Sequence, residues 1–119
     1  MQWLTTELTN RCNKSCYFCG RAKSRIENTM ALGDMDINLF KRIIEQFKGS
    51  IVQFSRDGEP LLYGNLWTIG QLCKPFVSNI VTNGILLYDL KGALKDNFTS
   101  VTVSVFEEDA EQFETVKKF

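Results

Sequence analysis

The sequence predicts an α/β fold, a parallel sheet built from about four β/α units, and three observations carry that expectation. Short β-branched or aromatic runs alternate with stretches whose apolar residues recur every three to four positions. Each of the first three β-like runs ends in a loop bearing cysteine, glycine, asparagine or proline, where function gathers in parallel α/β sheets. The composition is that of ordinary globular material, 44% hydrophobic with nine phenylalanines, and its 14 Lys and Arg balance 14 Asp and Glu. A chain of 119 residues is one domain or part of one, long enough to bury roughly two-thirds of its unfolded surface. We assign no boundary within 1–119.

The elements follow in order. Residues Trp3 to Leu8 form a first strand, which feeds a loop holding Cys12, Cys16 and Cys19. From Arg21 to Gly33 the chain is polar and aperiodic, a connecting segment. A helix follows, with Asp36 as its N-cap, Ile37, Phe40, Ile44 and Phe47 on one face and Gly49 as its stop. Ser50 to Ser55 is a second strand, broken by the turn-forming run from Arg56 to Pro60. Leu66, Ile69 and Cys73 mark a helix from near Asn65 to before Pro75, and Phe76 to Val81 a third strand ending at Thr82, Asn83 and Gly84. Leu87, Leu90 and Leu94 give a further helix, weakened by Gly92 at about 1 kcal/mol relative to alanine. Val101, Val103 and Val105 alternate with Thr102 and Ser104 in a fourth strand. A capping-box variant from Asp109 to Gln112 opens a last helix with Phe113 and Val116 on its buried side.

The cysteines are the chemically pointed feature. Thiolates select soft centres, chiefly zinc or iron–sulfur clusters. There are four cysteines, and no histidine anywhere in the chain. The absence of histidine excludes Ser-His-Asp and Cys-His catalysis and every His-containing zinc site. No basic n-region precedes an apolar run at the amino terminus and no run approaches the roughly 20 residues of a membrane span. A cytoplasmic protein with metal-binding thiols is therefore expected, since a reducing compartment does not sustain disulfides. Neither a membrane nor a nucleic-acid partner is indicated. A cubane cluster held by three local thiolates keeps one iron open to another ligand.

The spacing Cys12-x3-Cys16-x2-Cys19, with Phe18 before the last cysteine, resembles the signature of the radical S-adenosylmethionine (radical SAM) enzymes. The resemblance implies a [4Fe–4S] cluster on these three cysteines, its fourth iron chelated by S-adenosylmethionine (SAM). Gly58, Glu59 and Pro60 resemble the family's Gly-Gly-Glu-Pro segment, which binds the methionine amino group, with Asp57 standing where the first glycine often lies. Thr82, Asn83 and Gly84 resemble a recurrent feature after the third strand, and Ser104 corresponds to polar positions near the SAM ribose. Asn83, Ser104 and Phe18 thus join Gly58, Glu59 and Pro60 as implied cofactor-binding residues. The family fold is a partial barrel of six β/α units, of which this chain accounts for about four, so a continuation or a partner chain is expected to complete it. Reductive SAM cleavage implies an external one-electron donor such as flavodoxin or ferredoxin, and a small-molecule or peptide substrate that the sequence does not name.

Each motif also has a plainer reading. A structural zinc site wants four ligands, and Cys73 is the one remaining thiol; its place on an apolar helix face suits core packing better. Gly-Glu-Pro and Asn-Gly alone are ordinary turns. Tyr17 and Phe18 can be core aromatics, and Arg11, Lys14 and Arg21 solvated charges or cations offsetting cluster charge. A small iron–sulfur electron-transfer protein and a zinc-stabilised binding module are the alternatives. The order of the three motifs, one after each of the first three strands, favours the radical SAM reading.

Overall fold

The structure, a computed structural model, describes residues 2–12, 33–55, 58–105 and 110–119, with the backbone alone for 110–112. Four strands, β1 (Trp3–Thr6), β2 (Ile51–Phe54), β3 (Val77–Thr82) and β4 (Ser100–Val103), form one sheet in the order β1-β2-β3-β4. Every pairing is parallel. Helices α1 (Ile37–Gln46), α2 (Leu66–Leu72) and α3 (Lys91–Asn97) lie between successive strands, and α4 (Ala110–Lys118) follows β4. Parallel neighbours need a crossover, and the helices supply it.

Alternation along the strands sorts the sheet into two faces. Thr6, Phe54, Ile80 and Val101 share one row of the register and turn toward the helices. Phe54 sits at the centre of the core, fully buried between Phe40 at 5.8 Å and Phe98 at 6.0 Å between ring centroids. Burying such a ring contributes about 1.5–3 kcal/mol. The opposite face carries the row Thr5, Gln53, Asn79 and Ser100. Its ends are open: Trp3 is 60% exposed and Val77 50%. Among the described residues, helices cover one side of the sheet and a polar face lies open on the other, an arrangement compatible with a segment of barrel wall.

Helix α1 starts where the sequence places it, with the Asp36 carboxylate accepting from Asn38 N at 3.3 Å. It ends at Gln46, three residues before Gly49, because Phe47 turns extended and its ring packs on Phe76 at 5.5 Å. The helix expected over Leu87 to Leu94 forms only from Lys91; residues 85–90 are turns, opened by Leu87 N donating to Gly84 O at 3.2 Å. Leu87 and Leu94 are nonetheless fully buried. In α4 the expected burial of Phe113 is not observed. Val116 and Phe119 face the core, and Phe113, off that line, is 52% exposed with Lys117 Nζ 5.5 Å from its ring. No described helix is long and apolar enough to cross a membrane.

Candidate functional site

The loops leaving β1, β2 and β3 meet at Glu59 and Cys12. Glu59 is 2% exposed, and a buried carboxylate is tolerated only when donors surround it. They do: Oε1 accepts from Leu61 N at 3.0 Å and Thr82 Oγ1 at 2.5 Å, and Oε2 accepts from Asn83 N at 2.7 Å. The N–H of Glu59 donates to Arg11 O at 2.7 Å, one residue before Cys12. One side chain thus fastens the second loop to the third, while its backbone fastens it to the first. Pro60 then begins a short 3-10 turn, Pro60–Leu62, capped by Glu59 itself.

Gly58 lies against the backbone of the first loop. A Cβ there would stand 1.8 Å from Thr9 O and 2.7 Å from Asn10 Cα, so only glycine permits the approach. Thr82 and Asn83 shape the third loop by bonding the chain two residues on. Thr82 Oγ1 accepts from Gly84 N at 3.0 Å and Asn83 Oδ1 from Ile85 N at 3.0 Å. Gly84 adopts φ 81°, the left-handed conformation that costs glycine nothing. The Asn83 amide then reaches Cys12, with Nδ2 3.7 Å from Sγ.

A strap closes the base of the segment that carries the cysteines. Thr9 and Asp34 form an antiparallel bridge, Met35 N donates to Leu8 O at 2.7 Å, and Gly33 N to Asn10 Oδ1 at 2.8 Å. Arg11 grips Asp34 bidentately at 2.8 and 2.9 Å and also donates to Leu62 O at 3.0 Å. The Arg11 hydrogen bond, then that from Thr9 Oγ1 at 2.6 Å, holds the Asp34 carboxyl below the usual range, and Asp34 raises Arg11 in turn. Arg11 is therefore a partly exposed charge that is paired with Asp34 and not a bare cation. Nothing in the sequence announces this strap, since its partners stand 23 to 25 residues apart.

The predicted site residues divide as follows. Gly58, Glu59, Pro60, Asn83 and Cys12 come together. Cys16, Cys19 and Phe18 lie outside the described residues, as does Asp57. Ser104 falls just past β4, half-buried, its N–H donating to Thr82 O at 2.9 Å. Thr102 does turn to the open face, where it and Ser100 both donate to Asn79 Oδ1 at 3.2 and 2.8 Å. Cys73 ends α2 with no exposure at all, and burial pushes its thiol up to about 12. Thr82, whose hydroxyl joins Glu59 to the third loop, belongs to the site although, of the motif Thr82 to Gly84, Asn83 alone was expected to bind the cofactor.

The chain is similar to known proteins over most of its length. No family model matches it. It is 32% identical over 117 residues to a probable GTP 3′,8-cyclase of Metallosphaera sedula, covering 95% of this chain and 37% of that protein. It is 29% identical over 120 residues to another of Methanocaldococcus jannaschii, covering 98% of this chain and 40% of that one. Over 75% of its length it is 32% identical to 26% of a tungsten-containing aldehyde ferredoxin oxidoreductase cofactor-modifying protein of Pyrococcus furiosus. Among solved structures, BtrN in an open conformation matches with TM-score 0.71 and 25% identity, over 92% of this chain and 53% of BtrN. These likenesses support a relationship to the radical SAM superfamily over part of the length of its proteins.

BtrN in complex with AdoMet and 2-DOIA gives TM-score 0.70 at 22% identity, a likeness of fold. The chain spans about two-fifths of the length of the two GTP 3′,8-cyclase relatives and about half of BtrN. Its four parallel strands are thus one part of a radical SAM barrel. Of the donor set that the family's cluster would need, Cys12 is a half-buried free thiol approached by an amide N–H, which suits a cluster ligand. Cys16 and Cys19 follow it in the sequence, outside the described residues.

Proposed function

We propose that this chain is part of a radical SAM enzyme in which Cys12, Cys16 and Cys19 hold a [4Fe–4S] cluster and the Gly58 to Pro60 segment seats the methionine end of SAM. Held on Cys12, Cys16 and Cys19, such a cluster would supply the single electron that reductive cleavage of SAM requires, the family's route to hydrogen abstraction from a substrate. A flavodoxin- or ferredoxin-like donor is the expected source of the electron. The protein's share is positioning and exclusion of water. Glu59 fixes the SAM-binding loop against the cysteine loop, the Arg11–Asp34 strap holds the base of the latter, and the polar open face around Asn79 is left for the nucleoside and the substrate, with Ser104 at its rim.

The observation that carries this reading is the convergence of three loops, each after a different strand, on Cys12. A structural zinc site wants a fourth protein ligand, and an electron-transfer cluster a fourth thiolate. Cys73 is ill suited to be one, being fully buried in the core with its thiol held protonated. The test is anaerobic reconstitution of wild type and of four single variants, with iron and sulfide quantified. Cys12→Ala, Cys16→Ala and Cys19→Ala should each lose the cluster, while Cys73→Ala keeps it. A Cys73→Ala protein as empty as Cys16→Ala would replace this reading with a four-thiolate site.

A further inference from the structure

We propose that Asn83 is a positioning residue that sets the reduction potential of the cluster through a hydrogen bond to Cys12 Sγ. This rests on the reading of Cys12 as a cluster ligand. The amide nitrogen lies 3.7 Å from the sulfur, within reach of an N–H···S bond. Its direction is fixed by the rest of the residue. Oδ1 accepts from Ile85 N at 3.0 Å, so the other end of the amide, the donor end, must face the sulfur. The backbone is held as well, since Asn83 N donates to Glu59 Oε2 at 2.7 Å on a buried carboxylate. The positive φ of Gly84 completes the turn that aims the side chain.

A donor on a ligating sulfur stabilises the more negative, reduced state and so raises the potential. Asparagine does this without adding charge. Aspartate would keep the acceptor for Ile85 N but turn a carboxylate toward a thiolate, and glutamine, one methylene longer, would lose the turn. The same residue links cluster and SAM loop, because its backbone and its side chain bind Glu59 and Cys12 respectively.

The experiment is EPR of the anaerobically reconstituted chain at poised potentials, with dithionite as electron source and without SAM. Asn83→Ala should lower the ratio of reduced to oxidised cluster at a given potential about tenfold, which for a one-electron couple is ~59 mV in the negative direction. Asn83→Ser retains an oxygen for Ile85 N without the amide's reach, and should shift the same way. Thr82→Val cuts a neighbouring bond to Glu59 but leaves the Asn83 amide in place, and should move the potential much less. Equal shifts in Thr82→Val and Asn83→Ala, or a wild-type potential in Asn83→Ala and Asn83→Ser at full iron content, overturn the proposal. So does loss of the cluster from both Asn83 variants, which makes the residue's role one of folding. A wild-type chain that takes up no four-iron cluster overturns the reading of Cys12 beneath it.

Discussion

Replacing Gly58 by alanine should destabilise the protein by about 3 kcal/mol, and the figure follows from where the new methyl would go. It would meet Thr9 O at 1.8 Å, Thr9 C at 2.6 Å and Asn10 Cα at 2.7 Å, all backbone. A flexible side chain can swing away, but these atoms are tied. Thr9 Oγ1 is bonded to Asp34, Asn10 N to Gly33 O, and Ser55 N to Thr6 O just upstream. Overpacking costs about 1–3 kcal/mol where side chains can shift. With backbone on every side the upper end applies. Gly92 is the internal control: it lies in the first turn of α3, nothing stands within 4 Å of its Cβ position, and alanine there should stabilise, by less than the roughly 1 kcal/mol of a helix interior. Urea unfolding followed by circular dichroism reads both. At a slope of about 1–3 kcal/mol per molar, the midpoint of Gly58→Ala should fall by roughly 1–3 M while that of Gly92→Ala rises. A Gly58→Ala protein with the wild-type midpoint would refute the packing argument and, with it, the claim that the second loop is seated on the first.

Glu59→Gln replaces one acceptor oxygen by a donor among three donors, so it should cost about 2–3 kcal/mol in urea unfolding, and a loss under 0.5 kcal/mol would mean the carboxylate is not the fastening. Asp34→Asn should cost about 0–1 kcal/mol at neutral pH, as an ion pair with side chains 41% and 38% exposed would. Because the folded Asp34 carboxyl titrates below its unfolded value of about 4, its contribution is present above that pH and disappears as pH falls through the folded value. The variant's stability should therefore converge with wild type in acid; a gap that stays constant from pH 7 down to about pH 2 would contradict this. Cys73 should resist iodoacetamide in the native state, its thiol being buried and protonated, and rapid labelling without unfolding would be inconsistent with its place in the core.

Much of the fold was legible because periodicity and punctuation agree. Val52 and Phe54, Ile80 and Thr82, and Leu66, Ile69 and Cys73 are spaced as their elements require, and all are buried. Element ends were less legible. The helix after β3 begins late because Asn83 and Gly84 tie residues 85–90 into turns, a local bond that competes with the apolar spacing. Phe113 shows the other limit, since a stripe of two apolar residues does not settle how a helix is rotated when Val116 and Phe119 do the packing. For the site, the motif residues were legible but their partners were not. Glu59 was expected among the cofactor-binding residues, but the sequence does not name the groups that bond its oxygens, Leu61 N, Thr82 Oγ1 and Asn83 N; the Arg11–Asp34 strap joins residues far apart in sequence. Such pairings are products of the tertiary fold and leave no local signal.

The proposed site for a cluster and SAM is built by three loops. Its most direct test is EPR of the dithionite-reduced, fully reconstituted chain with and without SAM, alongside chromatography for 5′-deoxyadenosine. Binding of SAM to an open iron should change the spectrum, and Glu59→Gln, by loosening the second loop, should weaken that response more than it reduces iron content. Slow release of 5′-deoxyadenosine, uncoupled from any substrate, is expected as well, because an open face lets the radical react with solvent and buffer. A fully loaded cluster whose spectrum SAM leaves unchanged, with no 5′-deoxyadenosine formed, would contradict the claim.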